Sequence, residues 1–213
     1  MPLTLEEIEI QLKNRWSYPY KWFRKQNDVW DKHTNFIYNT PLWEELQLVI
    51  AKQAELHKLP KEEIFYYAIN RWYNFWSAIA VEQVFCYSEY IFHAKNSKDR
   101  LIDFTIKGIP FDHKTSVFPR GFNKTYSFAK ENKEELLYWL YKNQSNQQRQ
   151  HFANRLFLIV YSKNGEHWKL KAEIRLLKEA ISNYVSTFEI SNLVTLTFEN
   201  NQKALADIIW VEK

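Results

Sequence analysis

A chain of 213 residues, 46% hydrophobic and 25% charged, has the length and composition to bury a core and does not read as a disordered segment. Its formal charge of +4, from 29 Lys and Arg against 25 Asp and Glu, tolerates a nucleic-acid partner without demanding one. Cys86 is the only cysteine, which excludes an intrachain disulfide and a cysteine-rich zinc cluster.

The three glycines, Gly108, Gly121 and Gly165, cannot assemble the phosphate-cradling pattern of a P-loop or a dinucleotide fold. No histidine pair has zinc-helix spacing, and no serine sits in a nucleophile motif. Aromatic residues are abundant, with 9 Trp, 13 Tyr and 15 Phe, enough for a ring-rich core or for an interface. No apolar run approaches the ~20 residues of a membrane helix. Residues 1–15 carry acids and lack the apolar stretch of a signal peptide, so a cytoplasmic protein without a membrane partner is expected.

In chain order, residues 4–15 predict a helix: Thr4 can cap it, Glu6 and Glu7 fall in its first turn, and Leu5, Ile8 and Leu12 share one side. Residues 16–41 are aromatic and irregular. Within them Lys21, Trp22, Phe23, Arg24 and Lys25 interleave bases with rings, suited either to a nucleic-acid backbone or to tying an arm onto the core. Pro41 precedes a helix to about His57. Residues 61–93 are the longest helical candidate, apolar nearly all round, with a break expected near Trp76 and Ser77. A hairpin comes next, then a helix over 131–143 and a polar loop or solvated turn over 143–150. Residues 156–161 have the continuous apolar character of an interior strand. An amphipathic helix over 167–184 and strands over 193–198 and 206–211 complete the chain. This order predicts an α/β fold, a mixed β-sheet flanked by helices. Residues 1–60 are expected as a helical and aromatic extension packed on a core of residues 61–161, with 162–213 adding a helix and strands to the same domain.

The hairpin over 101–115 holds the strongest chemical signal. Lys107 and Gly108 divide two segments that alternate by two, so a symmetric hairpin centred there sets Ile106 opposite Ile109, Phe104 opposite Phe111 and Asp103 opposite Asp112. Opposed side chains share a face at about 5 Å. Phe104, Phe111 and Ile102 then lie on one face and Asp103, Asp112 and Lys114 on the other. Two facing carboxylates need a counter-charge, and oxygen-rich sites suit Mg²⁺ or Mn²⁺. The other reading is an edge hairpin whose acids and lysine face water. On the preceding helix Glu82 and Glu89 are near one face. Glu82 lies deeper in the apolar run and is the better third carboxylate, because burying it unpaired is costly. His113 is expected to point away from Asp112 and Lys114, as a packing residue.

With these residues the chain resembles the PD-(D/E)XK nuclease superfamily. Asp103 matches the first acid, Asp112, His113 and Lys114 the acid-x-lysine triplet, and Glu82 the glutamate of the preceding helix. The resemblance covers about residues 61–161 and implies a restriction-endonuclease-like αβββαβ core with N-terminal helical and C-terminal extensions. The first of its three strands has little room, since only residues 94–100 separate the expected helix from Leu101. The resemblance further implies an endonuclease, of which restriction enzymes are one kind, that hydrolyses DNA phosphodiester bonds with Mg²⁺ or Mn²⁺. Asp103, Asp112, the His113 backbone carbonyl and Glu82 would be its ligands, and Lys114 would orient or deprotonate the attacking water.

Arg120, Lys124 and Lys130 form a basic patch for the DNA backbone or an ordinary solvated loop. Arg149 and Arg155 either grip phosphate or serve as structural hydrogen-bonding groups. A homodimer through residues 16–38 or 61–93 would supply two sites for two strands. The reading from another class is a non-catalytic DNA- or protein-binding module that keeps this fold.

Overall fold

The computed structural model describes residues 3–87, 91–93, 102–143 and 153–213. The chain divides into two compact units, Met1–Val81 with Lys171–Arg175, and Glu82–Leu170 with Leu176–Lys213. The division falls inside the longest helix rather than before it. Among the described residues no helix is long and apolar enough to cross a membrane.

The first unit is helical: α1 (Leu5–Lys13), α2 (Asp28–His33), α3 (Trp43–Leu56) and most of α4 (Lys61–Cys86). Thr4 opens α1 with a reciprocal capping box. The Glu7 N–H donates to its hydroxyl at 3.2 Å, and its own N–H donates to the Glu7 carboxylate at 2.7 Å. The arm that follows is fastened by Arg15, which is fully buried and donates to the carbonyls of Tyr18 and Pro19 and to Asn70 Oδ1. Lys21 and Arg24 pair with Glu62 and Glu63 in the first turn of α4, and Trp22 meets Tyr67 edge-on. The interleaved bases and rings of residues 21–25 therefore tie the arm to α4. That helix continues unbroken through Trp76 and Ser77, where the Ser77 hydroxyl donates to the Asn74 carbonyl.

The second unit is a six-stranded mixed sheet in the order β1-β2-β3-β4-β6-β5. Its strands are β1 (Ile91–His93), β2 (Phe104–Ile106), β3 (Ile109–Val117), β4 (Arg155–Tyr161), β5 (Val194–Thr197) and β6 (Lys203–Glu212). α4 stops at Cys86, and Ile91–His93, expected as helix, are the first strand. They pair antiparallel with Phe104–Ile106, and this non-local partner decides the state of a short apolar run that suits either structure.

β2 and β3 form the expected hairpin, with Phe104 opposite Phe111 and Ile106 opposite Ile109. Lys107 and Gly108 both have positive φ, 46° and 84°, the backbone that a two-residue hairpin turn requires. β3, β4 and β6 run parallel, and β4 is buried along its length except at Tyr161, as its apolar sequence demands. Helices α5 (Tyr126–Glu131) and α6 (Lys133–Asn143) connect β3 to β4. They share a core with Phe118, Phe157, Ile159 and Ile208, which marks the odd-numbered side chains of β4 as facing them. α5 was not expected from the sequence. On the remaining face Phe85 stacks on Phe104 at 4.3 Å and Phe111 meets Phe188, the residue that follows α7 (Ile174–Ser186) closely.

Candidate metal centre

The site begins where the β2–β3 ladder ends. β2 has three residues and β3 nine, so β3 outruns its partner beyond Phe111. The Asp112 N–H turns to β4 and donates to the Asn154 carbonyl, while the Asp103 N–H donates to the Phe111 carbonyl. The neighbouring His113 N–H has no β2 residue to meet. The Asp103 carboxylate takes that place: Oδ2 accepts the His113 N–H at 2.7 Å and lies 2.8 Å from His113 Nδ1. Asp103 therefore does not face Asp112 as a symmetric hairpin predicts. Extrapolating the ladder one pair past its end is what fails.

Glu82 joins this pair from the last turns of α4. One ligand atom from each of Glu82, Asp103 and His113 lies within 4.8 Å of the others. Glu89 lies outside the described residues. The His113 ring is buried, with Phe104 stacked at 6.0 Å and Phe85 at 6.1 Å, so it is a packing residue, as expected, and also a member of the cluster. Burial opposes charge on Asp103, but the hydrogen bonds and charge of His113, joined by the Lys114 ammonium, hold its pKa below the usual carboxylate value. Burial, with the Glu82 charge adding, pushes the Cys86 thiol one helical turn on up to about 12.

Asp112 belongs to a second set on the other face of β3. Its Oδ1 accepts from Lys114 Nζ at 2.6 Å and its Oδ2 from Arg155 Nε at 3.1 Å. Asp112 and Arg155 are the first register pair of the parallel β3–β4 ladder, so their side chains emerge on the same face. Both are buried, and the Arg155 guanidinium lies 5.0 Å from the Tyr141 ring. Arg155 is thus no outward contact for phosphate. Of its two sequence readings the structural one fits, but its partner is not legible in sequence because Asp112 lies 43 residues away. An arginine opening an otherwise apolar strand was the one local signal of a buried partner.

The remaining basic residues do not gather at the carboxylates. Arg120 lies exposed in the turn after β3, Lys124 is exposed beside the Phe128 ring, and Lys130 sits over Tyr126 and 3.7 Å from Glu212. Glu212 ends β6 and the turn at Arg120 follows β3, whereas Asp112 and Arg155 form the first pair of the parallel β3–β4 ladder, at its other end. At about 3.3 Å per residue, roughly 17 Å of β3 separates Asp112 from Val117. Arg149 lies outside the described residues.

Two carboxylates and an imidazole within reach of one point are a donor set that suits a divalent cation. The oxygens fit Mg²⁺ or Mn²⁺, and the nitrogen shifts the balance toward Mn²⁺. No family model, curated protein or solved structure matches this chain.

Proposed function

We propose that the chain is a metal-dependent phosphodiesterase that acts on DNA and has a restriction-endonuclease-like core. One observation carries the reading: Asp103 sits in the cluster with Glu82 and His113, and it accepts the backbone N–H of His113, the residue between Asp112 and Lys114. The two carboxylate sets, on opposite faces of β3, thus adjoin at His113. The order of helix, three antiparallel strands, helices and a parallel fourth strand supports the same reading.

Glu82, Asp103 and His113 would hold Mg²⁺ or Mn²⁺, with Asp112 as a further carboxylate. A bound ion supplies a Lewis acid for the phosphoryl oxygen and an acidified water. Of the chain's own groups, Asp103 fixes the His113 ring, and Lys114 meets the anionic phosphate with its half-exposed ammonium. Two-strand cutting would use a homodimer, with the basic turn after β3 as a backbone contact.

Supercoiled plasmid incubated with Mn²⁺ or Mg²⁺ tests the proposal. Asp103→Asn and Lys114→Ala are each expected to slow cutting by about 10² or more, the usual effect of losing one group that meets developing charge. Cutting that survives both substitutions overturns it. The non-catalytic binding module is favoured by a different observation, the occupation of both Asp112 oxygens by cations of the chain itself. DNA retention without cutting under any divalent ion would select that reading.

A further inference from the structure

The two cations on Asp112 are not equivalent. The Arg155 side chain is 8% exposed and sits against Tyr141, whereas the Lys114 side chain is 45% exposed. Removing one member of a buried pair strands the other charge in a poor solvent, and a guanidinium cannot escape by losing its proton. An ammonium on a flexible, half-exposed stem returns to water at little cost.

From this asymmetry we infer that Lys114 is an exchangeable latch on Asp112, opened by a divalent cation, and that Arg155 is a positioning residue that keeps the carboxylate in place during the exchange. The inference rests on the phosphodiesterase reading above. Its electrostatics are simple. Asp112 already faces two positive groups, and Asp103 accepts the N–H of His113, the next residue of β3, so a divalent ion drawn to Asp103 and Glu82 would bring two further charges toward them. Repulsion then falls on the partner that can move, which is Lys114. Once released, the ammonium stays beside the site and is available to an anionic phosphate. Before release it is satisfied and has little call on one. Loading of metal and arming of the lysine thus become one event.

The full chain can be probed with Mn²⁺ alone. Lys114 is acylated by a water-soluble active ester at fixed pH and quantified by peptide mass spectrometry, with Lys61, whose side chain is 81% exposed, as reference. Mn²⁺ should raise Lys114 labelling about fivefold, the factor by which an exposed pair of this kind protects, and leave Lys61 unchanged. Arg155→Lys should keep the response near its wild-type midpoint. Arg155→Gln leaves Asp112 to Lys114 among the described cations and should move the midpoint to about tenfold higher Mn²⁺.

Circular dichroism checks that each variant folds. If Arg155→Gln does not, Arg155→His, a weaker and partly charged replacement, takes its place. Lys114 labelling that ignores Mn²⁺ overturns the latch, and midpoints that are the same in all Arg155 variants overturn the positioning role. DNA cutting without a labelling change would sink the latch and leave the phosphodiesterase standing. A labelling change without cutting would do the reverse.

Discussion

Asp103 accepts two hydrogen-bonding approaches from one residue, the backbone N–H of His113 at 2.7 Å and its ring Nδ1 at 2.8 Å. The carboxylate thus completes a strand edge and orients an imidazole at once. Because its pKa is lowered in the folded protein, its contribution to stability is present above the unfolded carboxylate value and is lost as pH falls through the folded one. Asp103→Asn should cost about 1–3 kcal/mol at pH 7. The gap from wild type should narrow below about pH 4, where the unfolded carboxyl protonates. Urea denaturation across pH checks both; a gap that widens in acid contradicts the assignment.

The two partners of Asp112 should separate in stability as they do in exposure. Arg155→Leu is expected to destabilise by about 3–5 kcal/mol, since it removes the buried partner of a buried carboxylate and leaves it to the half-exposed Lys114 ammonium. Lys114→Ala should cost about 1 kcal/mol or less. In a double-mutant cycle, Asp112→Leu combined with Arg155→Leu should recover much of the single-mutant loss.

Metal binding is measurable without any substrate. Mn²⁺ at 100 times its dissociation constant should stabilise the protein by about 2.7 kcal/mol, seen as a rise in Tm that EDTA reverses. His113→Ala and Glu82→Gln should both weaken the effect, because each removes one donor of the cluster. Equal stabilisation in those variants would place the ion elsewhere.

Cys86 offers a probe of the adjacent turn of α4. With its thiol pushed up to about 12, the thiolate fraction at pH 8 is about 10⁻⁴, so iodoacetamide should react slowly with the native protein and promptly in guanidinium. Fast native alkylation would mean that the turn carrying Glu82 opens to solvent.

What the sequence discloses is what short-range chemistry determines. The Lys107 and Gly108 turn sets the hairpin register, Thr4 marks the start of α1, and the unbroken apolar run at 156–161 announces a central strand. The errors lie where a distant partner decides. Residues 91–93 continue an apolar helical pattern and become strand by pairing with residues 104–106. Asp103 leaves the ladder because β2 stops short. Arg155 finds Asp112 through a parallel register that no local spacing encodes. Glu82, placed by the cost of burying a carboxylate, is brought to Asp103, whereas Asp112 emerges on the other face of β3 and meets Lys114 and Arg155 there.

Asn154 sits one residue before β4. Its side-chain amide donates to the Pro110 carbonyl at 3.1 Å, and its Oδ1 accepts the Leu205 N–H at 2.8 Å. One side chain therefore bridges the beginnings of β3 and β6 across β4, with partners 44 and 51 residues away in the chain. Neither partner is a neighbour that the growing chain can recruit early, and closing loops of that size is an entropic cost met before any contact rewards it. The end of the sheet that carries Asp112 and Arg155 is thus set in part by β6. A polypeptide still lacking β6 would have the acid, the lysine and the arginine in hand without the clamp that aligns the strands beneath them. During synthesis, the site would then acquire its final geometry only after residue 205 has emerged.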